Sequence, residues 1–164
     1  MPSMPSDSAT KSESALASRF ILGINHLGLA PKDPERARWF FQDVLGLPHL
    51  GDELVVEQQT LTRMFSAFAS APDPVERLEI LVPSPEGAGA VGAFLAKKGS
   101  GIHHLALTVC DLEGLIAYLL AKGVRMVDQV PRSGAHHTRI AFVHPESTGG
   151  LLIELVEPSH SAKV

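Results

Sequence analysis

Cysteine is almost missing from this chain: Cys110 is the single one in 164 residues. That excludes an internal disulfide framework and makes a reducing, cytoplasmic setting the expectation. Positive charge is short as well, with 14 Lys and Arg against 18 Asp and Glu and a formal net charge of −4. No Lys/Arg run interrupts that balance, so neither nucleic acid nor an anionic membrane is an expected partner. No apolar run approaches the roughly 20 residues needed to span a bilayer. Residues 1–18 are rich in Ser and Pro and lack a hydrophobic stretch, unlike a secretory signal, and Asp7 and Glu13 argue against a mitochondrial leader. Residues 1–19 therefore read as a disordered tail. What remains is ordinary globular composition, 45% hydrophobic and 20% charged, enough for one domain or two closely packed half-domains.

The chain says one thing twice. GINHLGLAPKDPE (Gly23 to Glu35) returns as GIHHLALTVCDLE (Gly101 to Glu113) at a constant offset of 78, pairing His26 with His104. LEILVP (Leu78 to Pro83) recurs as IELVEP (Ile153 to Pro158) at an offset of 75, pairing Glu79 with Glu154. Each copy thus keeps one imidazole and one carboxylate. If the copies pack face to face, the four can converge on one metal ion.

Periodicity gives each copy the same order of elements. Phe20 to Ala30 is apolar, β-prone and ended by Pro31, which predicts a strand. Asp33 stands at an N-cap position with Pro34 after it, and Ala37, Phe40, Phe41, Val44 and Leu45 follow at helical spacing up to Gly46. Strands are expected near Glu53–Glu57, Leu61–Ala69 and Val75–Val82. The second copy predicts a strand over Ile102–Val109, a helix over Leu112–Lys122 capped by Asp111, and strands near Arg125–Val130, Thr138–His144 and Leu151–Glu157. The fold class is α+β. Two βαβββ modules, residues 20–84 and 101–158, form an eight-stranded cupped antiparallel-type sheet with helices outside. Residues 85–100 are a linker holding a short helix over Gly89–Lys98, and residues 159–164 a second tail.

Strand parity makes the metal reading geometric. Side chains alternate along a strand, so His26 shares a face with Ile24 and Gly28, and the Leu-bearing face packs on the helix. The same parity turns His104 toward the open side and His103 away from it. Glu79 and Glu154 sit inside the apolar runs RLEILV and LLIELV, where an unpaired carboxylate is costly to bury. The candidate ligands are His26, Glu79, His104 and Glu154, and mixed N/O ligation suits Co²⁺, Ni²⁺, Mn²⁺ or Zn²⁺.

The repeated βαβββ unit with its His and Glu resembles the vicinal oxygen chelate (glyoxalase) superfamily. Within it, GIHHLAL, HPESTGGLLIEL and FLAKKG before GIHH make the chain most similar to the methylmalonyl-CoA epimerases, over Ile21 to Pro158. The resemblance implies an isomerase that interconverts the (R) and (S) forms of methylmalonyl-CoA, or a related 2-substituted malonyl thioester, through an enolate. It implies an acyl-CoA partner and a homodimer. It puts the four metal ligands on His26, Glu79, His104 and Glu154, with Glu154 as catalytic acid/base. The family's second acid/base, a Glu on the third strand of the first module, falls on Thr62 or Arg63, depending on register; Arg63 could instead meet a substrate carboxylate. A glyoxalase I-like lyase acting on a thiol adduct, and a small-molecule-binding protein of the same fold, are the alternative readings. His136 and His137, in a loop where the family typically carries GAHG, and His144 in HPES, receive no chemical role.

Overall fold

The helix nearest the N-terminus begins where its cap is written. Asp33 accepts a hydrogen bond from the Arg36 N–H at 2.9 Å, and Pro34, which has no N–H to lose, opens α1 (Pro34–Arg38). The helix then widens into a π-helical stretch, Trp39–Val44, with Leu45 N–H bonded to Phe40 C=O at 3.0 Å. Gly46, at φ 69°, closes it, and Leu47 N–H reaches back to Phe41 C=O. The expected helix is present, with its second half wound more loosely.

These elements belong to a computed structural model, which describes residues 19–67, 77–87 and 89–159. The tail at residues 1–18, most of the C-terminal tail, and the parts of two predicted strands that fall on residues 68–76 lie outside the described residues. The strands are β1 (Ile21–Ala30), β2 (His49–Val55), β3 (Thr60–Ser66), β4 (Arg77–Pro83), β5 (Gly101–Val109), β6 (Arg132–Ser133), β7 (Arg139–Val143) and β8 (Ile153–Glu157). With α1 they are joined by α2 (Gly89–Lys98) and α3 (Leu112–Ala121).

All eight strands form one curled sheet in the order β2-β3-β4-β1-β5-β8-β7-β6. The sheet is mixed rather than purely antiparallel, because β1 runs parallel to β4 and β5 parallel to β8. Each parallel pair joins the first and last strands of one copy, a consequence of folding a meander back beside its own opening strand. The two copies meet along β1 and β5, which are antiparallel. In that ladder His26 faces Ala106 and Gly28 faces His104. Gly28 is also level with Glu79 on β4, and Ala106 with Glu154 on β8. Two rows therefore cross the sheet, Met64–Glu79–Gly28–His104 and His26–Ala106–Glu154–Phe142. The sequence repeat has become a twofold arrangement of the four candidate ligands.

The helices hold the sheet from outside. Leu112, Leu115 and Ile116 of α3 are buried against Ala141, Val143 and Leu155, each large apolar side chain contributing about 1.5–3 kcal/mol by burial. Val91 of α2 packs on Ala30 and Leu81. Glu157 fastens α3 to the sheet: one carboxylate oxygen accepts Leu112 N–H at 3.1 Å and the other meets Arg139 at 3.0 Å.

One expected strand is corrected. Arg125–Val130 is not a strand; it meets β7 at one isolated Met126–Val143 bridge and through Val127 N–H, which donates to Phe142 C=O at 2.8 Å. The Asp128 carboxylate accepts Phe142 N–H at 2.9 Å, so a side chain takes a position that a strand neighbour's carbonyl would fill. The pairing strand is instead the two-residue β6.

Candidate metal centre

The sheet curls around a cup of about 700 Å³ whose lining includes His26, Glu79, His104 and Glu154. All four are buried, between 4% and 6% exposed. His26 Nε2 lies 2.9 Å from His104 Nε2 and 3.2 Å from an oxygen of both Glu79 and Glu154. His104 Nε2 lies 3.5 Å from Glu79 Oε2 and 3.2 Å from Glu154 Oε2. His26, Glu79 and His104 form a trio with ligand atoms all within 4.8 Å of one another. Glu154 joins it through its contacts with the two imidazoles.

These separations fit one ion. Ligands about 2.1 Å from a metal stand about 3.0 Å apart when cis in an octahedron and about 3.4 Å apart in a tetrahedron. Glu154 Oε2 supplies an independent sign. It is buried and close to both imidazoles, yet it has no hydrogen bond of acceptable geometry among the described residues. A cation satisfies such an oxygen. The donor set, two imidazole nitrogens and two carboxylates, therefore suits a divalent transition metal.

Neighbouring side chains orient the imidazoles. His26 Nδ1 donates to Asn25 Oδ1 at 2.9 Å, and Asn25 in turn donates to Thr108 Oγ1 at 3.0 Å. That leaves the His26 Nε2 lone pair aimed at the centre. His104 Nδ1 lies 2.9 Å from His103 Nδ1. His103 packs edge-on against Phe94, and burial, followed by the charge of His104, pushes its pKa down to about 4, so it stays neutral and can accept. This contact adds to the expectation from strand parity. His103 does leave the sheet on the opposite face, but its ring reaches round to its neighbour.

Charge is balanced tightly here. Burial lowers the pKa of His26, but hydrogen bonds and charge from Glu154 and Glu79 outweigh it and lift the value to about 9. Burial raises that of Glu154, and His104 and His26 outweigh it, bringing it to about 2. Without an ion, the two carboxylates favour a proton on His26.

The ambiguous third-strand position resolves by face. Thr62 is buried and lines the cup. Arg63 points the other way, bonded to Glu35 at 2.6 Å and Asp52 at 3.0 Å, and so does not meet a ligand in the cup. Sequence reasoning missed four participants. Asn25 and His103 carry no pattern that marks them. Gly28 does carry one, a glycine inside a strand: a Cβ there would lie 2.2 Å from His104 Cε1. His136, read as a plain loop residue, lines the cup as well.

Known proteins share the fold that carries this site. The model of the Glyoxalase/Bleomycin resistance protein/Dioxygenase superfamily matches residues 25–142. The uncharacterized protein YqjC of Bacillus subtilis is 36% identical over 135 residues, 82% of this chain and 91% of that protein. The structure of methylmalonyl-CoA epimerase from Mycobacterium tuberculosis superposes with a TM-score of 0.77 at 32% identity, covering 87% of this chain and 91% of that one. Streptomyces coelicolor methylmalonyl-CoA epimerase in complex with 2-nitronate-propionyl-CoA matches at TM-score 0.77 and 32% identity, covering 85% and 96%.

Proposed function

The chain belongs to the Glyoxalase/Bleomycin resistance protein/Dioxygenase superfamily, and from that premise we propose that it is a metal-dependent isomerase. It interconverts the (R) and (S) forms of methylmalonyl-CoA, or of a closely related 2-substituted malonyl thioester. One observation carries the reading: four ligand atoms from two copies of one motif meet within 3.5 Å along five measured separations at the base of an open cup. The likeness to epimerases, one of them with an acyl-CoA analogue, supports the substrate class. Two modules, residues 20–84 and 101–158, build the site, and the protein works as a cytoplasmic homodimer.

His26, Glu79, His104 and Glu154 would hold the ion, as Co²⁺, Ni²⁺, Mn²⁺ or Zn²⁺. A divalent ion there supplies Lewis acidity for negative charge developing on a thioester carbonyl. Glu154, held in its ionised form, takes the α-proton, and the C–H electron pair passes into the enolate. Arg77 lines the same cup, and its guanidinium suits the free carboxylate of a malonyl thioester. Apolar neighbours such as Met64, Ile140 and Val156 keep the cup's wall dry and strengthen these charges.

The test is metal analysis of the purified protein, then incubation with (2R)-methylmalonyl-CoA in D₂O, followed by NMR and chiral analysis. Deuterium at C2 and formation of the (S) epimer, both abolished by chelation and restored by one divalent ion, are the expected results. No exchange at C2 with metal bound, together with turnover of a thiol hemithioacetal, would move the chain to the lyase branch.

A further inference from the structure

Inversion needs a proton donor on each face of the α-carbon, and the epimerase reading supplies only Glu154. Thr62, on the third strand, cannot serve. Directly across the β2–β3 ladder from Thr62 stands Glu53, and directly paired residues present their side chains to the same face, here the cup face. The Glu53 carboxylate is not spent on solvent. Its Oε2 accepts His136 N–H at 2.6 Å and lies 3.1 Å from His136 Nδ1. Glu53 thereby joins the β2 edge of the sheet to the loop after β6, across the mouth of the cup that His136 lines.

His136 is held there against a cost. Its φ of 54° and ψ of 37° are left-handed, a region that non-glycine residues occupy with strain, and His137 follows at φ 59°. Two contacts from one carboxylate fix that conformation. A carboxylate on Nδ1 of a histidine that lines a cavity leaves Nε2 as the nitrogen free to exchange protons.

We propose that His136, positioned by Glu53, is the second acid/base of the reaction, replacing a carboxylate on β3 with a His–Glu dyad. The proposal rests on the epimerase reading. Glu154 takes the proton from Cα, and the C–H pair enters the enolate. His136, as imidazolium, gives its Nε2 proton to the opposite face of Cα, where the enolate pair forms the new C–H bond. Glu154 then releases its proton to water, and neutral His136 takes one from water, so the cycle consumes nothing. His136 is a catalytic residue in this scheme and Glu53 a positioning residue.

The experiment follows metal-loaded wild type, His136→Asn and Glu53→Gln with (2R)-methylmalonyl-CoA in D₂O, reading deuterium entry at C2 separately from (S) product. Asparagine tolerates the left-handed backbone, and glutamine keeps an acceptor, so melting temperatures and metal content report whether each variant is intact. Both variants should keep exchange within a few-fold, because Glu154 alone can remove and return a proton on one face. Inversion should fall about 10²-fold or more for His136→Asn and less for Glu53→Gln, with KM nearly constant. Free imidazole should restore inversion in His136→Ala. Wild-type inversion rates in the variants would overturn the proposal. So would equal loss of exchange and inversion in folded, metal-loaded protein, which would make the dyad only a wall of the cup. Absence of any exchange in wild type would instead sink the epimerase reading beneath it.

Discussion

Gly28→Ala tests the metal centre through a residue that is not itself a ligand. A Cβ on Gly28 would sit 2.2 Å from His104 Cε1 and 2.5 Å from Nδ1, with Nε2 at 2.6 Å. Ordinary carbon–carbon contact needs about 3.4–4.0 Å, so the ring must retreat by more than 1 Å, or the β1–β5 ladder must open. The ring is the softer element, although its Nδ1 contact with His103 and its edge contact with Phe142 resist the move. Metal sites tolerate roughly 0.2 Å in ligand distance, so a retreat of this size removes His104 as a ligand. Even loss of an outer-shell partner costs about 10–100-fold in metal affinity, and loss of a ligand should exceed that. Overpacking should cost about 1–3 kcal/mol of fold stability, which a domain of this size survives. Competition against a fluorescent chelator measures the affinity, and thermal melting of metal-free protein measures the fold. Ala106, the matching position in the second copy and directly opposite His26, provides the control, since Ala106→Gly removes bulk and should leave metal binding nearly unchanged. Wild-type metal affinity in folded Gly28→Ala would refute the claim that this glycine exists to seat His104.

Three further expectations follow from the same cluster. Glu154→Gln should lower exchange at C2 by about 10²–10⁴-fold and weaken metal binding, and rapid exchange in that variant would show that another group removes the proton. His103→Ala removes the acceptor on His104 Nδ1 and should weaken metal affinity by about 10–100-fold, with rescue by a Gln that restores an acceptor; unchanged affinity would make the contact incidental. The pH dependence should reverse sign with metal. In metal-free protein, the His26 pKa raised to about 9 from 6.5 gives stability that is full below pH 6.5 and lost as pH climbs through 9. The Glu154 value lowered to about 2 from 4.5 gives stability that is full above pH 4.5 and lost as pH falls through 2. Melting temperature should therefore decline from pH 6.5 to 9 without metal and rise over that range with it, because each displaced proton makes binding about tenfold tighter per pH unit below the His26 value. Parallel melting curves in the two states would mean that metal and proton do not compete.

The parts of this molecule that could be read from its sequence are those enforced by periodicity and repetition. The four central residues are legible because each occurs twice at matched positions, and because a carboxylate within an apolar run demands a partner. The caps at Asp33 and Asp111 and the α2 span Gly89–Lys98 are legible for local reasons, since short-range hydrogen bonds decide them. The parallel pairings of β1 with β4 and β5 with β8 depend on which strand lies beside which, and no local pattern encodes that. Arg125–Val130 failed because Asp128 supplies through its side chain a bond that a strand supplies through its backbone; composition is blind to that difference. His136 went unassigned for a deeper reason. Its partner Glu53 is 83 residues away, and the repeat offers it no twin. The repeat marks what both copies must share, a ligand pair each. A proton donor for one face of one carbon is needed once, so it must arise where the two copies differ, at the free edge of β2 and in the loop after β6. Asymmetry between the copies is thus the place to look for the half of the chemistry that the shared motif does not explain.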